Sequence, residues 1–190
     1  MNKTAAALHA EALQVPEPGI WAIDPTHTQA GFAARHLMVT KVRGRFTDVS
    51  GTATIGETPE TSSVEVELRA ASVDTGFGQR DDHLRSADFF DVERYPTLTF
   101  RSTRVQRTGE RTFKLHGDLT IRGVTRPVTL DAEYEGVTSD PWGGQRAGFT
   151  ASTEVNREDW GLTWNQALES GGVVVGKKVK IEIETELVKK

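Results

Sequence analysis

Arg80-Asp81-Asp82-His83 places a cation, two carboxylates and an imidazole on four consecutive residues. In a cleft such a set could carry general acid–base chemistry. The same residues at the start of a short helix suit a structural task instead. Carboxylates there satisfy free backbone N–H groups and the helix dipole, and Arg80 can pair with them. The other histidines offer little for a metal, because His27, His36, His83 and His116 make no helical i, i+4 pair. Cysteine is absent, which excludes disulfides, thiol catalysis and thiolate metal sites. No Gly-x-Ser-x-Gly elbow, dinucleotide fingerprint or phosphate loop occurs. The expectation is a protein with no catalytic residues, no metal and no cofactor.

The chain that must position these residues has 190 residues, with Lys plus Arg 23 and Asp plus Glu 27, a net charge of −4. That length suits one domain. The net balance offers no footprint for nucleic acid and no basic face for an anionic membrane. No window approaches the ~20 apolar residues of a membrane span. The N-terminal apolar run is only Ala5 to Leu8, short of a secretory leader, so the expectation is a cytoplasmic protein. Residues 1–18 carry two prolines without alternation and read as a flexible tail, leaving 19–190 as the folded domain.

From Gly19 onward, apolar and polar residues alternate. Val64, Val66, Leu68 and Ala70 share one face, as do Phe113, Leu115, Gly117, Leu119 and Ile121, and later Val179, Ile181 and Ile183. Period two with one apolar side means antiparallel strands having one buried and one wet face. Eight or so such strands can close into an all-β, up-and-down antiparallel barrel, with a two-sheet sandwich as the runner-up because alternation does not distinguish them. Ser72 to Pro96 breaks the pattern, with a short helical excursion near residues 79–91.

The excursion carries Thr75-Gly76, Arg80-Asp81, His83-Leu84, Phe89-Phe90-Asp91-Val92 and Tyr95-Pro96, followed by Thr99 to Thr103. Ile23-Asp24, His27, Phe32, Arg35 and His36 precede it. Gly117 to Thr125 and Arg157-Glu158-Asp159-Trp160-Gly161 follow. In this order the residues resemble the YceI-like family of polyisoprenoid-binding proteins over about residues 19 to 188. Trp160 stands where that family usually has Phe. The resemblance implies an eight-stranded lipocalin-like barrel holding a long isoprenoid lipid, as a homodimer, with His27 and His36 orienting turns.

Phe32, Leu68, Phe100, Leu115, Leu119, Leu130, Phe149 and Ile181 could simply fill the barrel, as side chains usually do in small barrels. Small inward candidates such as Ala30, Ala34, Ala132 and Ala151 would leave room along its axis. The expected ligand-binding residues are therefore those eight with Trp160, and Arg80 and His83 are the head-group candidates. The expected function is non-enzymatic binding, transport or storage of a long-chain polyisoprenoid. An enzyme acting on such a lipid, and a ligand-free dimeric scaffold, are the alternatives.

Overall fold

The computed structural model describes residues 14–169 and 171–190. Among them are eleven strand segments and one α-helix. β1 (Gly19–Ile23) and β2 (Gln29–His36) are parted by a 3₁₀ turn at Pro25–His27. β3 (Thr40–Phe46) leads after two residues into β4 (Val49–Ile55), and β5 (Ser63–Arg69) follows. β6 (Val73–Asp74) is a two-residue bridge onto β3. Helix α1 (Gly78–Arg85) comes next. The chain then runs through β7 (Thr97–Arg107), β8 (Thr112–Ile121), β9 (Val124–Ser139), β10 (Gln145–Asn156) and β11 (Val175–Lys189).

Every pairing is antiparallel, and β1 meets both β4 and β11, which closes the sheet. β1 with β2, and β3 with β4, act as single interrupted staves, so the result is an eight-stranded antiparallel barrel. The sandwich alternative is thereby excluded. Closure also removes the exposed edges that an open sheet of this length would offer to other chains. No helix among the described residues is long and apolar enough to cross a membrane.

Local chemistry explains the breaks. Asp24 accepts from the Thr26 backbone N–H at 2.9 Å, and Pro25 has no N–H to give a ladder, so the first stave turns there. At the β8–β9 hairpin, Arg122 and Gly123 hold φ of 50° and 72°, the two-residue turn whose twist matches its strands. Gly123 supplies the second positive φ without a Cβ penalty.

One end of the barrel is plugged. Phe46, Ala70, Val73 and Leu98 form one buried cluster there, and Phe89, Trp160 and Leu162 another, with Leu84 of α1 and Phe90 packed against both. Arg85 fastens the helix by donating to the carbonyls of Ala71 at 2.8 Å and Val73 at 2.9 Å. The other end is a rim of loops. There Arg146 gathers three carboxylates: Nη1 donates to Asp24 at 2.8 Å and to Glu186, and Nε to Asp140 at 3.2 Å. One guanidinium so ties the start of β10 to the β1–β2 turn and the end of β11.

Of the expected tail, residues 1–13 lie outside the described residues. Gln14 to Pro18 lie against the rim. The Gln14 carbonyl accepts from the Tyr134 hydroxyl at 2.6 Å, and the Glu17 carbonyl from the indole of fully buried Trp21 at 3.1 Å. The Glu17 carboxylate meets Lys189 and Gln145, and these partners hold it below its ordinary pKa.

Candidate functional site

A cavity of about 670 Å³ runs inside the barrel from the plug to the rim. Phe32, Leu68, Phe100, Leu115, Leu119, Leu130, Phe149, Trp160 and Ile181 all lie on its wall. Apart from Leu130 and Trp160, each keeps part of its surface accessible although it points inward. A packed core would cover such side chains completely. Here the uncovered surface faces the void. Ala30, Ala34, Ala132 and Ala151 stand on the same wall and leave the width that larger side chains would fill. At Gly117 a Cβ would fall on the Phe100 ring and the Arg101 carbonyl, so the missing side chain is what lets that ring approach β8.

The wall includes residues beyond the nine expected. Phe113 and Ile183 lie on faces already read as apolar. Val105 does not follow the parity of Phe100: a register shift between Ser102 and Arg104 returns it to the interior. Val15, Pro16, Pro18, Thr58 and Pro59 reach the cavity at the rim, and no strand periodicity could have singled them out.

Arg80 and His83, the expected head-group residues, are placed outside the cavity wall. Arg80 donates to the Thr75 hydroxyl at 2.7 Å and to its carbonyl at 3.0 Å. His83 meets Asp88 at 2.9 Å and stacks edge-on against Trp164 with centroids 4.6 Å apart. Asp81 is buried and accepts from both the Thr75 N–H and hydroxyl, at 2.8 and 2.6 Å. Asp82 pairs with Arg85 at 3.0 Å on the surface. Neither carboxylate caps the helix, whose N-cap is Phe77 without a side-chain bond. The four residues that could have formed an acid–base site are engaged in local contacts around α1, with Arg80 and Asp81 meeting on the Thr75 hydroxyl.

The charged side chain buried on the cavity wall is Arg157, 6% exposed. Its Nε donates to the Gly176 carbonyl at 3.0 Å and Nη1 to that of Leu162, which fixes the turn after β10 to the start of β11. Burial pushes its pKa below the ordinary value, against the pull of Glu158.

Among the described residues, Asp24, His27 and Glu186 bring ligand-type atoms together at the rim. Arg146 already bonds both carboxylates. His27 bonds Asp24 at 2.8 Å and so steadies the first turn, the role that the resemblance implied. The Thr26 hydroxyl, the His27 ring and Arg146 hold the Asp24 carboxyl well below the usual range. This is a structural ion network rather than an open coordination site.

With this barrel and its plug in place, residues 21–187 of the chain match the YceI-like domain model. The chain belongs to the YceI-like family. UPF0312 proteins of Pseudomonas putida strain W619 and of Azotobacter vinelandii are 44% and 43% identical to it over 137 residues, 72% of this chain and 71% of each relative. Among solved structures, the Campylobacter jejuni YCEI protein is 26% identical with TM-score 0.72, covering 100% of this chain and 99% of its own. Burkholderia cenocepacia BcnA aligns with TM-score 0.72 at 20% identity, over 86% of this chain and 98% of its own. A polyisoprenoid binding domain from Saccharophagus degradans aligns with TM-score 0.69 at 15% identity, over 92% of this chain and 100% of its own. At such low identity these last two bear on the fold alone.

Proposed function

We propose that this YceI-like barrel binds a long-chain polyisoprenoid lipid in its interior and stores or transports it without chemical change. One observation carries the reading: the apolar side chains that point inward leave their surfaces uncovered along a cavity of about 670 Å³. Pockets that hold small ligands run from about 300 to 1,000 Å³. The driving force is desolvation. Each buried CH₂ contributes ~0.8 kcal/mol, so a few isoprene units outweigh any single polar contact. The family and its apolar-cavity architecture support a chain-like lipid. The binding residues are Phe32, Leu68, Phe100, Leu115, Leu119, Leu130, Phe149, Trp160 and Ile181. The homodimer and the cytoplasmic residence expected from the sequence belong to this proposal, to be read by sedimentation and by cell fractionation.

The test is native mass spectrometry of the full chain after incubation with a polyprenyl lipid, followed by organic extraction. We expect one added mass, removed by extraction, with the lipid recovered unchanged. A protein that stays at its bare mass overturns the carrier reading, and a chemically converted lipid replaces it with an enzyme.

A further inference from the structure

The β2–β3 hairpin turns on Leu37 and Met38, both in the left-handed region with φ of 51° and 61°. The Val39 N–H donates back to the His36 carbonyl at 3.1 Å, closing the turn. This is the geometry that Asn-Gly fills comfortably, and the β8–β9 turn of the same protein uses glycine for it. Large apolar residues with positive φ are outliers, and such strain is retained where something compensates for it. Nothing within the described residues buries these side chains: Leu37 is 40%, Met38 55% and Val39 78% exposed. The tip is an apolar wedge held out into solvent.

Its flanks are basic. Between Asp24 and Asp48 the sequence has no acidic residue, while Arg35, Lys41, Arg43 and Arg45 all fall there. Arg35 stands directly across from Lys41 in the hairpin, and both are exposed, as is Arg43. Among the described residues Arg45 pairs with Asp74, whereas Arg35, Lys41 and Arg43 enter no ion pair. Glu182 of β11 feels the charge of both Arg43 and Lys41, but it is already bonded by Lys180. A chain of net charge −4 thus concentrates unpaired cations around this exposed apolar turn. The overall balance had argued against a basic face. The structure shows one, local to this hairpin.

We propose that the β2–β3 hairpin docks the protein on an anionic membrane surface, with Leu37, Met38 and Val39 entering the headgroup–acyl boundary and Arg35, Lys41 and Arg43 meeting lipid phosphates. Apolar side chains flanked by cations are the combination that such an interface rewards. A soluble acidic partner would satisfy the cations and leave the wedge in water. The Leu37 N–H bonds the Val174 carbonyl at 2.9 Å, beside the start of β11, whereas the cavity rim lies at the end of that strand. β11 has 15 residues and so spans about 50 Å at ~3.3 Å per residue. Docked by this tip, the barrel is tethered by its plugged end, and its rim faces water.

Vesicle flotation tests this with the full chain and with vesicles that contain no isoprenoid, so its outcome is independent of the cavity's occupant. We expect binding to phosphatidylcholine/phosphatidylglycerol vesicles, little to phosphatidylcholine alone, and a decline with rising salt. Lys41→Gln and Arg43→Gln should each lower the partition coefficient roughly fivefold. Leu37→Asn combined with Met38→Gly relieves the turn, so that variant should melt no lower than the parent while binding falls at least about tenfold. Equal binding to both kinds of vesicle, or undiminished binding by the relieved turn, overturns the proposal. So does a parent that ignores vesicles but forms a dimer which the same double substitution dissociates, because a second copy would then cover the wedge.

Discussion

The indole Nε1 of Trp160 donates to the backbone carbonyl of Leu119 at 3.0 Å, across 41 residues of sequence. This bond joins the turn after β10 to β8 at the plugged end, and the ring itself is 2% exposed. Trp160→Phe keeps an aromatic ring but leaves the carbonyl with one partner fewer. A buried acceptor deprived of its donor costs ~1–3 kcal/mol. Urea unfolding should show that loss while lipid occupancy persists. Unchanged stability would mean that the bond is not sustained in solution.

Asp81 and Asp82 are neighbours in sequence with opposite surroundings. Two donors from Thr75 converge on buried Asp81, and hydrogen bonds to a charged group contribute ~1.5–3 kcal/mol. Asp81→Ala should therefore cost several times more than Asp82→Ala, whose exposed pair with Arg85 is expected to stay within about 0.5 kcal/mol. Equal losses in denaturant titration would restore a shared capping role.

The pair shows where the sequence was legible. The break in alternation placed the excursion, and alternation placed the inward faces of β5, β8 and β11, because a period-two pattern is fixed by the pleat. It could not tell Asp81 from Asp82, since their difference depends on a loop residue, Thr75, folding back onto the helix. Arg80 and His83, the head-group candidates, stand off the cavity wall for the same reason: residue type shows what a side chain can bond, not which partner is nearer. The rim network was hidden too, as Arg146 meets Asp24 across 122 residues and Glu186 across 40. Val105 was lost to a bulge, which exchanges inside for outside within one strand.

Acid should loosen the rim. The folded pKa of Asp24 is depressed, chiefly by the Thr26 hydroxyl, then by His27, with Arg146 adding to it. Its contribution is present above the unfolded value of about 3.9 and is lost as pH falls toward the lower folded value. Asp24→Asn should melt lower than the parent at neutral pH, and its melting temperature should fall less steeply below about pH 4. Parallel acid limbs for the two proteins would show that other carboxylates govern the transition.

Truncation through Pro18 removes the acceptor of the Trp21 indole and the Tyr134 hydroxyl's partner, Gln14. With residues 1–18 gone, stability should fall by ~1–3 kcal/mol. Val15, Pro16 and Pro18 also leave the rim of the cavity, so bound lipid should exchange faster. Displacement kinetics of a fluorescent polyprenyl probe read the second effect. Identical melting and identical exchange would make the whole segment a detachable tail, as its composition alone had indicated.

The sharpest test of the interior compares two leucines on one strand. Leu115 and Leu119 both line the cavity, but Leu119 also packs against the buried cluster of Phe89, Trp160 and Leu162, whereas Leu115 belongs to no such cluster. A carboxylate placed without a partner in a packed site is expensive, while one facing a water-accessible void can stay hydrated. Leu115→Glu should therefore give a folded protein that no longer retains lipid, because a hydrated charge now interrupts the apolar wall. Leu119→Glu should lose its fold, because the carboxylate is driven against the packed cluster of Phe89, Trp160 and Leu162. The alanine variants follow the same division. Leu119→Ala should show the ~2–5 kcal/mol of a core truncation, and Leu115→Ala distinctly less, since part of its surface already faces empty space. Circular dichroism and native mass spectrometry on the four variants decide the matter. If Leu115→Glu unfolds as Leu119→Glu does, the barrel is packed along its length in solution and there is no channel for a lipid to occupy.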